Sequence, residues 1–218
     1  MNAWICPTIT AVTREEYERQ FNIINKFATR IHFDVSDGSL ASRKLYAFGQ
    51  MRWHEDTVAD VHIMSRNPHA DIVLAYHLHP DLVIIHAEAE VDLIRAASSL
   101  HSAGIKAGLA LLPDTQVEHV SAIIPHFDHA LIFSGNLGYQ GGSVADLNLL
   151  SKVRKVLSIN PNIEIGWDGG VNNDNIRLIV AGGVSVANVG GYIQSSASPK
   201  RAYAKLVSTL KKSKHHAE

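Results

Sequence analysis

Short runs of apolar and β-branched residues recur along the chain about every 20 to 30 residues, and more polar stretches separate them. Inside each run the apolar residues are nearly continuous, which is typical of strands that are covered on both faces of a parallel sheet. The pattern predicts eight strands: Trp4–Ile9, Arg30–Val35, Val58–Met64, Leu82–His86, Lys106–Leu111, His129–Phe133, Ile163–Gly166 and Val184–Val189.

The stretches between the strands carry helical signals. Thr13 is predicted to cap a first helix, because Glu15 and Glu16 follow it in the first turn before apolar residues recur at helical spacing. The segment Leu40–Asp56 is less regular and is predicted as a long loop with a short helix. The other predicted helices cover Val91–Ala103, Asp114–Ile124 (ended by Pro125), Asp146–Leu157, Asn173–Ala181 and Pro199–Leu210.

Strands and helices alternate without a linker or a shift in composition. This predicts an α/β fold with one domain over residues 1–218, a single (β/α)8 TIM barrel with eight parallel strands. Such barrels often need about 200 to 250 residues, which brackets the 218 present. An open doubly wound sheet is the alternative, but the turn Thr8–Val12 lacks the glycines of a dinucleotide turn. Residues 211–218 are expected to form a solvated C-terminal tail.

Composition narrows the classes of function. Hydrophobic residues make up 46% and charged residues 19% of the chain, as in globular proteins. The 20 basic and 21 acidic residues leave a net charge of −1, so nucleic acid is not an expected partner. Cys6 is the only cysteine, which excludes a disulfide within the chain. With no signal-peptide pattern and no apolar run of roughly 18 residues, a cytoplasmic protein without a membrane partner is expected.

Polar side chains stand where several strands end. In a TIM barrel the active site lies at these C-terminal ends. His32 and Asp34 are two residues apart on a strand and therefore point the same way. His62 closes the third strand, and Asp168 follows the seventh. Each residue alone has an ordinary structural interpretation, but two imidazoles and two carboxylates together suit one Zn²⁺, Fe²⁺, Mn²⁺ or Co²⁺ ion.

Glycine pairs follow the last two strands. Gly169-Gly170 precedes a predicted helix, and Gly190-Gly191 follows the eighth strand. Loops at these places in TIM barrels often bind phosphate through backbone N–H groups, and glycine lets an anion approach the backbone closely. A third glycine-rich segment, Gly135–Ser143, is predicted to be a lid over the substrate.

The chain contains 13 histidines, and most of them have no obvious chemistry nearby. His86 and Glu88 follow the fourth strand and either support the metal ligands or serve only the loop; both interpretations stay open. The histidines expected at the surface or at helix ends are His77, His79, His101, His119, His126, His129, His215 and His216.

These motifs resemble the ribulose-phosphate 3-epimerase family over nearly the whole chain, from Cys6 to Gly191. The resemblance implies a metal-dependent carbohydrate epimerase of the pentose phosphate pathway, with one divalent ion per chain, no organic cofactor, and assembly as a homo-oligomer. The most specific segments are His32–Gly38, Asp60–Met64, His86–Glu88 and Asp168–Asn172. The metal ligands that the resemblance implies are His32, Asp34, His62 and Asp168.

The resemblance also implies other residue roles. Asp34 and Asp168 would form the catalytic acid–base pair. Thr8 stands where the family usually has a serine near the substrate. The residues implied to bind the sugar phosphate are Thr8, His62, Met64, Gly138, Tyr139, Gln140, Gly141, Gly169, Gly170, Gly190 and Gly191.

The sequence also departs from the family pattern. Ser36 and Phe133 stand where methionine is common, Leu137 replaces the proline of an Asn-Pro-Gly lid motif, and Gly191 replaces a serine. The loop after Gly38 lacks the customary Val-Pro-Asn. The metal ligands are therefore intact, whereas the pocket floor and the lid differ, so pentulose and hexulose phosphates both remain candidate substrates.

The expected reaction inverts C3 of a ketose phosphate, converting D-ribulose 5-phosphate to D-xylulose 5-phosphate through an enediolate, with one aspartate on each face. One alternative is a hexulose-phosphate 3-epimerase acting on allulose 6-phosphate, and another is a non-catalytic barrel that binds a sugar phosphate. A decarboxylase of the orotidine-monophosphate type is disfavoured, because Asp34-Val35-Ser36-Asp37 contains no lysine. An enzyme acting on free ketoses is distinguished only by the proposed phosphate loops.

Overall fold

The computed structural model describes residues 3–212, and its strands form a closed parallel barrel. Each strand pairs with the next along the chain, and the last pairs with the first. This confirms the predicted TIM barrel and excludes the open sheet. The strands are β1 (Trp4–Ile9), β2 (Arg30–Ser36), β3 (Val58–Met64), β4 (Leu82–His86), β5 (Lys106–Leu111), β6 (His129–Phe133), β7 (Glu164–Asp168) and β8 (Val186–Val189).

The predicted strand bounds differ from the structure mainly for the last two strands. Strand β7 begins one residue later than predicted and continues to Asp168, so this carboxylate ends the strand instead of following it. Strand β8 begins at Val186 and not at Val184. The cause is Ser185, whose Oγ accepts a hydrogen bond from the N–H of Ile165 at 2.9 Å and replaces a regular ladder contact.

Helices connect the strands around the outside of the barrel. The first begins where predicted, since Oγ1 of Thr13 accepts a hydrogen bond from the N–H of Glu16 at 3.2 Å. The helices are α1 (Arg14–Ile24), α2 (His69–Leu78), α3 (Leu93–Ser102), α4 (Val117–Val120), α5 (Leu150–Ile159), α6 (Ile176–Ala181), α7 (Gly191–Gln194) and α8 (Pro199–Lys212). Short 3₁₀ helices cover Phe48–Gln50, Ile124–His126 and Leu147–Leu149.

Several helix predictions differ from the structure. Helix α2 was not predicted, because its sequence His-Ala-Asp-Ile-Val-Leu-Ala-Tyr-His-Leu has apolar residues on all sides and no helical period. The helix predicted over Asp114–Ile124 is reduced to α4 and a 3₁₀ turn, and Pro125 lies inside that turn instead of ending a helix. Helix α8 includes Lys211 and Lys212, the first residues of the predicted tail, while 213–218 lie outside the described residues.

Charged side chains fill the end of the barrel that is opposite the strand C-termini. Arg30 donates from Nε to Asp60 at 2.7 Å and makes two hydrogen bonds, of 2.8 and 2.7 Å, to the carboxylate of Glu164. His129 Nδ1 lies 2.8 Å from the same carboxylate and is buried. The expectation of a surface position for His129 is therefore wrong. This ionic floor, comprising Arg30, Asp60, His129 and Glu164, connects β2, β3, β6 and β7.

Within residues 3–212, no helix combines the length and the apolar character that crossing a membrane requires. The apolar core instead lies between the barrel and its helices, where alternate strand residues such as Phe33, Ile63 and Trp167 are fully buried. The other strand residues point into the barrel. The polar groups near the strand C-termini are therefore held by a closed and densely packed scaffold.

Candidate active site

Four side chains converge inside the C-terminal end of the barrel. Asp34 is paired with His62 in the register of β2 and β3, and one atom from each of His32, Asp34, His62 and Asp168 lies within 4.8 Å of the others. Nδ1 of His62 is 3.1 Å from Oδ1 of Asp34 and 3.9 Å from Oδ2 of Asp168. The structure thus brings together the four residues that the sequence places at strand ends.

The chemistry of this group fits a divalent metal ion. His32 is fully buried, and neither of its ring nitrogens has a hydrogen-bond partner among the described residues. A buried imidazole without partners is costly, so the arrangement favours a ligand that accepts a nitrogen lone pair. Nε2 of His32 lies 3.4 Å from Asp34 and 3.7 Å from Asp168. Mixed nitrogen and oxygen ligands of this kind suit borderline divalent ions.

Further side chains hold two of these residues in place. Oγ1 of Thr10 donates to Oδ2 of Asp34 at 2.6 Å, which leaves the other carboxylate oxygen facing the group. Nε2 of His62 is 2.8 Å from Nε2 of His86, and Nδ1 of His86 is 3.2 Å from Oε2 of Glu88. His86 and Glu88 therefore support the candidate ligands, which was one of the two interpretations left open by the sequence.

Burial and neighbouring charged groups shift the pKa values of the two aspartates in opposite directions. Burial raises the pKa of Asp168 to about 7, and the neighbouring Asp34 carboxylate also raises it. Burial opposes ionisation of Asp34 too, but His32 and His62 outweigh it and hold the pKa of Asp34 well below its usual range. Burial, with the nearby His86, lowers the pKa of His62 to about 3, so this ring is neutral and able to bind a metal. The surroundings therefore favour the ionised form of Asp34 and the protonated form of Asp168.

The acidity of Asp168 predicts a pH-dependent stability for the metal-free protein. The folded-state pKa of Asp168, about 7, lies above the ordinary value of 3.8. The contribution of this group to the free energy of unfolding is therefore complete below pH 3.8 and is lost as the pH rises through 7. At pH 8 we expect the free energy of unfolding of metal-free Asp168→Asn to exceed that of the metal-free wild type, by an amount on the order of a few kcal/mol. Urea denaturation in the presence of a chelator measures this difference.

The difference should shrink steadily as the pH is lowered toward 4, because the carboxyl of the folded wild type then becomes protonated and uncharged, like the asparagine amide. The exposed Asp56 provides the control, since Asp56→Asn removes a carboxylate far from the barrel interior. A wild type that remains as stable as Asp168→Asn at pH 8 would contradict the placement of Asp168 beside a second buried carboxylate.

A cavity of about 260 Å³ opens beside the aspartates. Asp34 and Asp168 line it, whereas His32 and His62 are fully buried and lie behind its wall. Phe133 contributes to that wall, with its ring 5.9 Å from the ring of His62. The cavity is also lined by residues that the sequence resemblance assigns to the substrate: Thr8, Met64, Gly138, Tyr139, Gln140, Gly141, Gly169, Gly170, Gly190 and Gly191.

Sequence reasoning missed Asn188, an inward-facing residue of β8 that also lines the cavity. It is 2% exposed, and neither its amide oxygen nor its amide nitrogen has a hydrogen-bond partner among the described residues. Oγ1 of Thr8 is buried and unpartnered in the same way. Asn188 is paired in register with Asp168. A polar residue inside the apolar run Val186–Val189 was the available signal.

The glycine loops have two roles in the structure. Gly169 and Gly170 have positive φ angles of 111° and 69°, and a Cβ on either would overlap the backbone of the loop after β6. Packing alone therefore requires glycine at these two positions. Among the described residues, however, the backbone N–H groups of Gly170, Gly190 and Gly191 have no protein acceptor and border the cavity. These donors are available to an anion.

The predicted lid lies across the cavity and contacts two neighbouring segments. Nε2 of Gln140 donates to the carbonyl oxygen of Thr8 at 2.9 Å. On the other side, a Cβ on Gly138 would lie 3.2 Å from that of Ala41. Tyr139 is 50% exposed at the rim, where the guanidinium of Arg43 lies 5.6 Å from the centre of its ring. The loop from Gly135 to Ser143 thus encloses the cavity from above.

Comparison with known proteins gives a consistent result. The ribulose-phosphate 3-epimerase family model matches residues 4–194. The chain is 35% identical over 179 residues to ribulose-phosphate 3-epimerase of Helicobacter pylori, covering 79% of this chain and 82% of that protein. It is 30% identical over 213 residues to the same enzyme of Mycobacterium leprae, covering 94% of both.

Among solved structures, a 3-hexulose-6-phosphate synthase superposes with a TM-score of 0.69, covering 94% of this chain and 99% of that one. The sequence identity is 16%, so this likeness shows a common barrel fold and nothing about the reaction.

Proposed function

Because the chain belongs to the ribulose-phosphate 3-epimerase family and is a carbohydrate epimerase, we propose that it interconverts D-ribulose 5-phosphate and D-xylulose 5-phosphate. The observation that carries this proposal is that Asp34 and Asp168 both line the cavity, in surroundings that lower the pKa of the first and raise the pKa of the second. Inversion of a carbon next to a ketone requires a base on one face and an acid on the other. Asp34 and Asp168, which come from separate strands, supply both.

In the proposed reaction, one aspartate removes the proton from C3 and the other returns a proton to the opposite face of the resulting enediolate. Asp34, as the anion, is suited to start as the base in the direction that presents the C3 proton to it. Asp168 then begins protonated, and the roles reverse in the opposite direction. Thr10 donates to one oxygen of the Asp34 carboxylate and so fixes the orientation of this group for proton transfer.

A divalent ion would be held by His32, Asp34, His62 and Asp168, and when bound it would act as a Lewis acid that stabilises the negative charge developing on the substrate oxygens. His32 supports this assignment, because its buried ring nitrogens make no hydrogen bond among the described residues and a metal ion would satisfy one of them. No organic cofactor enters the proposed chemistry.

The remaining cavity groups are proposed to bind the rest of the sugar phosphate. The N–H groups of Gly170, Gly190 and Gly191 would receive the phosphate, since no lysine or arginine is among the described residues that line the cavity. Thr8 and Asn188 would bind sugar hydroxyls, because a hydroxyl can both donate to and accept from their unpartnered polar atoms.

Solvent-proton exchange tests the proposed function directly. The metal-loaded protein is incubated with ribulose 5-phosphate in D₂O, and C3 is examined for deuterium while xylulose 5-phosphate is measured. Parallel incubation with allulose 6-phosphate ranks the hexulose alternative. Absence of both deuterium at C3 and xylulose 5-phosphate, in protein shown to contain metal, would contradict the proposal.

The metal assignment predicts about one divalent ion per chain, as expected for a single four-ligand site. His62→Ala should bind Zn²⁺ far more weakly, because it removes a nitrogen ligand and leaves the two aspartates and His32 around a larger gap. Elemental analysis after gel filtration and competition with a chromophoric chelator provide the measurement. His101→Ala changes an exposed histidine that pairs with Asp128, and it is the control. Full metal occupancy in His62→Ala would show that the assignment is wrong.

A further inference from the structure

A row of hydrogen-bonding groups, buried except at its outer end, leads away from the candidate metal ligands. It begins with Asp34, passes through the rings of His62 and His86, and ends at the carboxylate of Glu88. The three contacts measure 3.1, 2.8 and 3.2 Å, and both rings are 0% exposed. Each ring nitrogen therefore has one neighbour in the row and no exposure to solvent.

The row cannot be filled by protons when both imidazoles are neutral. Two carboxylates stand at its ends, and ionised carboxylates only accept hydrogen bonds. Each of the three contacts in the row is a gap that one proton must bridge to make a hydrogen bond, so the row requires three protons. Two neutral imidazoles supply only two. One gap must remain without a proton. If that gap lies next to Asp34, Nδ1 of His62 is unprotonated and faces the place proposed for the metal ion.

We infer that Glu88, acting through His86, is a positioning residue that selects this tautomer of His62. The inference rests on the metal site proposed above. The Glu88 carboxylate accepts the N–H of His86 Nδ1, which leaves His86 Nε2 as an acceptor. His62 must then carry its proton on Nε2, and its Nδ1 lone pair is directed at the metal. Glu88 and His86 do not touch the substrate in this scheme.

The surroundings of Glu88 keep its second oxygen occupied. Oε1 accepts from the backbone N–H of Leu112 at 3.3 Å and from the hydroxyl of Thr115. Nζ of Lys152 donates at 2.6 Å to the carbonyl oxygens of both Leu112 and Thr115, and so fixes the loop that carries these donors. The N–H of Leu112 cannot reverse its polarity. An oxygen is therefore required at the Oε1 position.

Because an oxygen is required at the Oε1 position, the amide of Glu88→Gln can take only one orientation, and this variant therefore tests the inference. The amide of the same size must place its oxygen toward Leu112 and its NH₂ group toward His86. His86 Nδ1 then becomes an acceptor, its Nε2–H donates to His62, and the proton of His62 moves to Nδ1 and donates to Asp34. All three gaps are then filled without a metal ion, so Zn²⁺ must compete with a satisfied hydrogen bond.

We expect Glu88→Gln to weaken Zn²⁺ binding about 10- to 100-fold, the range observed when groups that orient a metal ligand are changed. Glu88→Ala should weaken it less, because it removes the preference without reversing it. A purely structural role predicts the opposite order, since glutamine fills the space that alanine leaves empty. Thr115→Val is the matched control, because it removes one donor to Glu88 and leaves Leu112 in place. Chelator competition measures the affinities.

Nitrogen-15 NMR of the histidine rings identifies the protonated nitrogens in the same proteins. The expected result is His62 protonated at Nε2 and His86 at Nδ1 in the Zn²⁺-loaded wild type, with both assignments reversed in metal-free Glu88→Gln. Wild-type affinity in Glu88→Gln, or weaker binding in Glu88→Ala than in Glu88→Gln, would overturn the inference. A wild type that binds Zn²⁺ with the expected tautomers but exchanges no C3 proton would instead overturn only the proposed epimerase function.

Discussion

Asp34→Asn and Asp168→Asn, each loaded with metal, are expected to lose epimerisation by at least roughly 10²- to 10⁴-fold, the usual contribution of a single positioned acid or base. The asparagine amide has nearly the shape of the carboxyl group but neither removes nor returns a proton. Because inversion needs both faces of C3, either substitution should stop the complete reaction. Coupled assays of xylulose 5-phosphate formation measure the loss.

Exchange of the C3 proton with D₂O separates the two variants. The remaining carboxylate can still remove and return a proton on its own face, so each variant should exchange deuterium into a different one of the two epimers. Both aspartates are also proposed ligands, so metal content must be verified before rates are compared. Asp114→Asn, at an exposed loop position, is the control. Substantial epimerisation by either metal-loaded variant would refute the two-aspartate scheme.

The second large effect concerns the phosphate group of the substrate. Hydrogen bonds to charged groups are worth about 1.5–3 kcal/mol each, so even two of the three proposed backbone donors correspond to a preference of roughly a hundredfold to ten-thousandfold. We expect kcat/KM for ribulose 5-phosphate to exceed that for ribulose by this factor or more. Part of the gain should appear in kcat, because a remote phosphate also orients the reacting carbon. Equal activity on ribulose would contradict the phosphate site.

Gly190 is the better position at which to test the donors. A Cβ there would meet nothing closer than 3.4 Å, whereas a Cβ on Gly191 would lie 2.6 Å from Cα of Gly141 and displace the lid. Gly190→Asp places a negative charge beside the proposed phosphate, and Gly190→Asn places a neutral group of the same size. The aspartate variant should lose most of the preference for ribulose 5-phosphate and the asparagine variant much less. Equal losses would assign the effect to size and not to charge.

Much of the fold was predictable because it depends on local signals. Five of the eight strands have the predicted bounds, since nearly continuous apolar runs of strand length mark them in the sequence. Helix α2 was not predictable in this way, because the helical period disappears when a helix is apolar on all sides. Ser185 shortened β8 through a side-chain hydrogen bond to a neighbouring strand, a tertiary contact that no local pattern reveals.

The candidate site was predictable where its residues share a strand end. His32, Asp34 and His62 follow from alternation along two adjacent strands, since side chains of the same parity point into the barrel. Asn188 was missed because its significance depends on the absence of a partner, which only the packed structure reveals. The sequence allows both a phosphate loop and an ordinary turn at Gly169, and the left-handed backbone of Gly169 and its contact with the neighbouring loop are structural reasons for glycine there.

The ionic floor has a consequence for protein engineering. Arg30 bonds to Asp60 on β3 and to Glu164 on β7, so it ties together the three strands that carry the candidate metal ligands at their other ends. Removing one partner of a buried ion pair costs about 3–5 kcal/mol, whereas a native domain is stable by only about 5–15 kcal/mol. Directed evolution toward new ketose substrates should therefore randomise the loops above the barrel and keep Arg30 constant, because mutational tolerance is concentrated at one end of this scaffold.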